Sequence, residues 1–275
     1  MARKLKKKGK ANPAAERGKA PIVVRHCHGL AEFGACFDVQ RAVWGSADAD
    51  LVPLPLFVVA AETGGQVLGA FAEDRMVGFT LALAGLHGRA PFLHSHMTAV
   101  IEGWRDRGIG RSLKVFQRED ALARGIDRIE WTFDPLQIKN AYFNLVRLGA
   151  VARRFVANMY GSMSSPLQGG LPTDRLVAEW HLGSACARRA LAGAPPVKRA
   201  LRQGDRSRSA ARKTARIRVP AELAGLRHSR PEEAMRMQAE IRQEFEYWLN
   251  RGYAAVSVTP AGEGGEYLLQ PWAKE

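Results

Sequence analysis

No apolar run in this chain approaches the roughly 20 residues that a bilayer-spanning helix needs, so the sequence offers no membrane span. Cysteine is scarce as well. Cys27, Cys36 and Cys186 are an odd number without the paired spacing of a zinc site or a dithiol motif. No metal is therefore expected, and reduced thiols in a cytoplasmic protein are the plain reading. After the basic N-terminus, Ala11-Asn12-Pro13-Ala14-Ala15-Glu16 stands where a secretory signal would carry its apolar stretch. Acidic residues are few beside basic ones, 27 against 41, for a net charge of +14. That excess is local. Eight Lys and Arg against Glu16 give residues 1–20 a charge of +7, eleven against Asp205 give residues 183–218 a charge of +10, and the rest of the chain amounts to −3. Both segments are poor in large apolar residues, so 1–20 reads as a disordered tail and 183–218 as an exposed linker or insertion. Such segments are able to touch nucleic acid non-specifically, an attraction that fades steeply with salt. Elsewhere, 46% apolar residues are ample for a core.

Periodicity places the elements. Pro21 to Arg25 reads as a strand, and residues 30–44, with Leu30, Phe33, Phe37 and Val43, as an amphipathic helix. Pro53 and Pro55 predict a loop or edge segment over Leu51 to Leu56, running on extended from Phe57 to Ala61. Turns at Gly64-Gly65 and Asp74-Arg75 separate strands Gln66–Phe71 and Met76–Leu83, and a long extended run covers Phe92 to Ile101. A helix after Gly108 places Ile109, Leu113 and Phe116 on its apolar face, with Lys114 mostly off it, and stops at Gly125. Strand Ile126–Phe133, helix Ile138–Leu148 and strand Val151–Tyr160 follow. That β-α-β-α-β order implies a partly parallel sheet with crossover helices. Arg175 to Leu182 is strand-like, and Ser229-x-x-Glu232 with Pro231 reads as a capping box opening a helix up to Gly252. Tyr253–Val258 and Glu266–Leu269 read as a terminal hairpin.

The most informative segment is Arg105-Asp106-Arg107-Gly108-Ile109-Gly110-Arg111-Ser112, a glycine-rich turn from a strand into a helix N-terminus. Unpartnered N–H groups and the helix dipole make such a turn an anion site. Gly108 and Gly110 let a phosphate come close, because no Cβ holds it off. Two other phosphate-binding patterns are absent: there is no Gly-Lys-Ser/Thr, and Leu113 stands where a dinucleotide fingerprint has its third glycine.

What remains, Arg-x-x-Gly-x-Gly after a strand, resembles the pyrophosphate loop of the GNAT superfamily of acyl-CoA-dependent N-acyltransferases. Residues 22–160 resemble that domain in order and spacing, with Val100 five residues before Arg105 and Asn140-Ala141-Tyr142-Phe143-Asn144 opening its second motif. His94-Ser95-His96-Met97, Leu113-Lys114-x-x-Gln117-Arg118, Trp131-Thr132-Phe133-Asp134-Pro135-Leu136 and Pro172-Thr173-Asp174-Arg175-Leu176 resemble a little-characterised bacterial branch of it. The resemblance implies an α/β (α+β) fold, a mixed and partly parallel sheet flanked by helices. Residues 21–182 would form its core, and residues 219–275 would pack a C-terminal helix and hairpin on it. It also implies acetyl-CoA or another acyl-CoA as co-substrate. Acetyl or succinyl transfer to a small amine such as an amino acid, directly in a ternary complex, is the expected activity. A protein N-terminus or lysine as acceptor is one alternative. A degenerate CoA-sensing or nucleic-acid-associated module is another.

Residue roles follow from what acyl transfer to an amine needs. Backbone groups from Arg107 through Gly108, Ile109, Gly110 and Arg111 to Ser112 would hold the pyrophosphate, with Arg105 and Arg111 adding charge. Ala99, Val100 and Ile101 would meet the pantetheine and polarise the thioester carbonyl. His94 and His96 lie two apart on a strand, so both rings share a face; they are candidate bases or, equally, structural residues. Glu102 and Asp134 stand at strand ends as substitute bases or ammonium anchors, with turn capping as the alternative. Many members of the family carry a tyrosine four residues before the second-motif glycine to protonate the thiolate; here that position is Leu145, and Tyr142 is the nearest replacement. Asn140 and Asn144 are poor helix formers and so candidate cofactor contacts. Arg175 is a candidate for an acceptor carboxylate, or an ion pair of Asp174.

Overall fold

Short strands bounded by turns, with one long central strand, assemble into a single ten-stranded sheet in the computed structural model, which describes residues 21–45, 51–161, 170–194 and 214–272. The basic tail 1–20 lies outside the described residues. In chain order the strands are β1 (Ile22–His26), β2 (Gln66–Ala72), β3 (Arg75–His87), β4 (Ala90–Val100), β5 (Arg128–Phe133), β6 (Val151–Val156), β7 (Arg175–His181), β8 (Ala215–Val219), β9 (Tyr253–Ala261) and β10 (Gly264–Pro271). The helices are α1 (Gly29–Trp44), α2 (Leu54–Glu62), α3 (Ile109–Ala123), α4 (Ile138–Tyr142), α5 (Ala185–Leu191), α6 (Leu223–Ser229) and α7 (Pro231–Leu249).

The sheet order is β1-β2-β3-β4-β5-β7-β6-β9-β10-β8. Among the described residues only β4 and β5 pair in parallel. The second crossover, β5 through α4 to β6, also returns in the same direction, but β7 lies between those strands and is antiparallel to both. The expected mixed sheet is therefore mostly antiparallel.

Three apolar clusters fix the layers. On one face α1 and α2 bury Phe33, Cys36, Phe57 and Ala60 against Val67, Phe79, Leu81 and Ala99. On the other, α3 buries Ile109 and Leu113 against Leu68, Ala70 and Val77. The largest cluster joins Ile129, Trp131 and Trp180 of the central sheet to Ile241, Phe245 and Tyr267 of the C-terminal region. Each such large side chain removed from water contributes about 1.5–3 kcal/mol. Polar contacts register the C-terminal part: Tyr267 donates to the Pro135 carbonyl at 2.7 Å, and the Arg242 guanidinium holds buried Asp174 at 2.9 Å.

Four expectations are corrected. Leu51–Ala61 is not extended: Pro53 caps α2 and Pro55 sits in its first turn, where no N–H is needed, so two prolines open a helix rather than forbid one. The basic stretch 183–218 contributes α5 and β8 at its ends, with Ala215, Ile217 and Val219 buried; residues 195–213 lie outside the described ones. The capping box is absent, because Ser229 belongs to α6 and donates to the Gly225 carbonyl at 3.1 Å, and Arg230 precedes Pro231 instead. Asp174 pairs with Arg242, and Arg175 donates to the Asp174 backbone carbonyl.

Candidate active site

The parallel pairing of β4 and β5 is short. It joins Leu93 to Ile129 and His94 to Glu130, and beyond those residues the two strands have no ladder between them. From Ser95 onward the β5-facing edge of β4 is thus unpaired backbone, an uncommon thing inside a sheet. A β-bulge coincides with the divergence: Ala82 pairs with Ser95 and Leu81 with Met97, which leaves His96 as the extra residue. Side-chain alternation reverses across it. Leu93 packs with Ala121 of α3, whereas Met97 and Ala99 pack with the α1–α2 layer. The bulge carbonyl of Met97 accepts the Thr80 hydroxyl at 2.9 Å.

The gap opens onto the N-terminus of α3. Gly108 is its cap with φ 79°, a left-handed conformation that disfavours a side chain. The Ser112 N–H bonds the Gly108 carbonyl at 2.9 Å and is the first to find a helical acceptor, so those of Ile109, Gly110 and Arg111 face outward. A Cβ on Gly110 would meet nothing within 4 Å, which marks open space above the turn.

These parts line one cavity of about 650 Å³. Its floor is β4 from Ser95 to Thr98 with Val100, and Trp131 and Thr132 of β5; its rim is Arg105, Asp106, Gly108 to Arg111, Asn140, Asn144 and Arg147. Trp44 and Trp104 close two sides. Of the residues expected at a site, the fold brings together here His96, Val100, Arg105, Gly108, Ile109, Gly110, Arg111, Asn140 and Asn144. Asn144 is buried and donates to Asn140 at 3.4 Å from a π turn, Phe143–Arg147, that continues α4. Such widened turns recur at functional sites.

Others are placed elsewhere. Ala99 is buried in the α1–α2 layer, and the Ile101 N–H is taken by the Val77 carbonyl at 3.0 Å. Glu102 is exposed on the turn, Arg107 stacks on Trp104, and Ser112 turns back to Gly108. Tyr142 packs against the main core beside Leu145, which is 2% exposed. Asp134 does not face the cavity: one oxygen accepts the Leu136 N–H at 2.8 Å and the other meets Arg227 at 3.3 Å, so it caps its own turn and ties down α6. Arg175 lies over the Tyr160 ring, whose hydroxyl bonds Thr132 at 2.8 Å on the cavity wall.

The histidines have shifted chemistry. Burial pushes the His94 pKa below its usual 6.5, with the neighbouring His96 ring adding to that, and burial lowers His96 too. Both shifts favour the neutral ring. His94 sits behind His96, ring centres 6.2 Å apart.

Sequence reading missed one residue outright. Lys114 is 4% exposed, donates to Ser95 Oγ at 2.7 Å and Gln117 Oε1 at 3.1 Å, and lies 4.4 Å from the centre of the Trp131 ring. Burial pulls its pKa from 10.5 to about 7. Its signal was available: residues 114, 117 and 121 share one stripe of α3 at helical spacing, and a polar pair on a buried stripe asks for a reason.

No protein-family model and no curated protein matches the chain. Among solved structures it is similar to the ribosomal-protein-S18-alanine N-acetyltransferase from Escherichia coli, at 12% identity and TM-score 0.49 over 60% of this chain and 96% of that one. It is also similar to an acetyltransferase from Salmonella typhimurium solved with acetyl-CoA, at 14% identity and TM-score 0.46 over 60% and 97%. A third is Naa50 from Arabidopsis thaliana with a bisubstrate analogue, at 13% identity and TM-score 0.46 over 57% and 97%.

Proposed function

We propose that this chain is an acyl-CoA-dependent N-acyltransferase that passes an acetyl or succinyl group directly to a small amine such as an amino acid. The observation that carries the reading is the continuity of one cavity from the divergence of β4 and β5 to the free N–H groups of α3. A pyrophosphate fits the helix end, where Arg105, Arg111 and Arg147 add positive charge. A pantetheine arm is a thin chain of amides, and the unpaired edge of β4 offers it strand-like hydrogen bonds. The thioester then lies at the β4 end, beside Ser95 and His96.

There the neutral His96 ring takes a proton from the incoming ammonium, directly or through water. The amine attacks, the C–N bond forms and the C–S bond breaks. A backbone N–H of β4 near the bulge steadies the oxyanion, as preorganised donors do in acyl transfer. Arg175, outside the cavity lining but linked to it through Tyr160 and Thr132, is assigned to the acceptor carboxylate. Asp134 and Glu102 have no part in this scheme.

Thermal melting with acetyl-CoA, succinyl-CoA, free CoA, ATP and NAD tests it. A ligand at 100 times its Kd adds about 2.7 kcal/mol, so the CoA compounds should raise the midpoint and ATP and NAD should not. No shift with any CoA compound would reduce the glycine turn to a turn and return the chain to the binding-module reading.

A further inference from the structure

The scheme above has a base but no acid, since the tyrosine that would protonate the thiolate is the buried Leu145. We infer that Ser95 and Lys114 together are that acid, with the Ser95 hydroxyl giving its proton to the departing sulfur and the Lys114 ammonium refilling it. The inference rests on the acyl-CoA reading of the cavity.

The geometry is specific. Ser95 is the last residue before the bulge, at the point where β4 and β5 part, and both it and Lys114 line the cavity although each is at least 96% buried. Lys114 Nζ donates to Ser95 Oγ at 2.7 Å, which leaves the serine hydrogen free to point into the cavity. Among the described residues Lys114 pairs with no carboxylate; its other contacts are Gln117 and the Trp131 face. The nearby acids are committed elsewhere, Asp120 to His26 and Gln66, and Glu130 to Arg154. The His94 ring of β4 interacts with it and lends it no negative charge, and Arg111 of its own helix turns its guanidinium to the Leu191 carbonyl. A lysine so placed exchanges its proton near neutral pH.

The balance closes. As C–S breaks, the electron pair stays on sulfur, sulfur takes the Ser95 proton, and Ser95 takes one from Nζ. The nitrogen sheds a second proton to solvent once the C–N bond has formed, His96 releases the one it took from the ammonium, and one of these two is returned to the neutral Lys114 amine, so that one proton is released per turnover.

Free CoA is the probe, because its thiol reports the same proton. The ultraviolet absorbance of the bound thiolate is followed against pH for the wild type, Lys114→Met and Ser95→Ala, with CoA binding confirmed separately by thermal shift. In the wild type the thiolate should appear at a pH at least about one unit lower than in Lys114→Met, a full unit being a tenfold change in the thiolate equilibrium. With an amine acceptor in hand, turnover of Lys114→Met and Lys114→Arg should fall about 100-fold, the usual range for a lost acid. Loss in the arginine variant is expected because that side chain keeps the charge but releases no proton. Identical thiol titrations in bound wild type and Lys114→Met would overturn the inference. So would an acyl adduct on Ser95, seen by intact mass after acetyl-CoA alone, since the pair would then be nucleophile and base. A wild type that binds no CoA would instead overturn the reading beneath it.

Discussion

Strand β5 passes two nests of buried charge, and they are built in opposite ways. At Glu130 and Glu179, which are 5% and 3% exposed as side chains, every negative charge is met: Arg154 and Arg128 reach Glu130, and Arg153 and Arg154 reach Glu179. One residue along the strand, on the α3 side, Trp131 covers Lys114, whose positive charge meets no acid among the described residues. Compensated ions cost little net stability and hold strands in place. A buried lone ion is a standing penalty, and a fold that keeps one at a cavity is keeping it for chemistry. Substitutions at the Lys114 end should therefore alter binding and proton exchange, and those at the glutamate end should alter stability alone.

The sharpest break is Gly108→Val. A β-branched side chain at φ 79° is strained, at about 1–3 kcal/mol, and its bulk stands where the α3 N–H groups open to the cavity. The expected outcome is complete loss of the acyl-CoA-dependent melting shift in a protein that still unfolds cooperatively. A retained shift would place the ligand elsewhere and dissolve the contrast between the two nests.

Next in size is the pH dependence of stability in Lys114→Met. The folded pKa of about 7 lies below the ordinary 10.5. Below pH 7 both folded and unfolded chains hold the proton, and the burial penalty is full. Between pH 7 and 10.5 the unfolded chain binds the proton and the folded chain does not, so wild-type stability rises with pH. The variant lacks that rise. It should therefore be the more stable protein at pH 6, on the order of a few kcal/mol, and the difference should narrow towards pH 10. Denaturant midpoints of both proteins at several pH values measure this. A constant difference across the range would mean that Lys114 keeps an ordinary pKa.

Much of this arrangement was legible in the chain. The strand–turn–helix around Gly108 announced itself because glycine and arginine patterns are local, Asn140 and Asn144 stood out as poor helix formers, and His96 as an imidazole on the strand before the turn. What stayed hidden depends on partners distant in sequence. The bulge at His96 exists only relative to β3, so alternation alone put His94 and His96 on equal terms, whereas the fold brings His96 to the cavity wall and leaves His94 behind it. Asp134 reads as a strand-end acid until Arg227, far along the chain, takes its free oxygen. Pro53 and Pro55 misled because proline forbids a helix interior but not a first turn. Lys114 stayed hidden because a lysine on a helix ordinarily keeps its ammonium in water, and only the buried stripe it shares with Gln117 and Ala121 takes it inward.

The smallest effect belongs to the compensated nest, and it tests the other half of the contrast. Glu179→Gln removes the charge but keeps the shape, leaving Arg153 and Arg154 without one of their acids. Arg154 is half exposed and retains Glu130, whereas Arg153, 28% exposed as a side chain, is left facing a neutral amide, so the loss is about 1–3 kcal/mol, below that of a fully buried pair. The denaturant midpoint should drop while its slope and the acyl-CoA melting shift stay as in the wild type. Glu179 lies on β7, beside β5 but away from the divergence of β4 and β5, and nothing in its contacts reaches the α3 N-terminus. If Glu179→Gln weakened acyl-CoA binding while leaving stability intact, the arginine cluster would belong to the site, and the rule separating the two nests would fail at its compensated end.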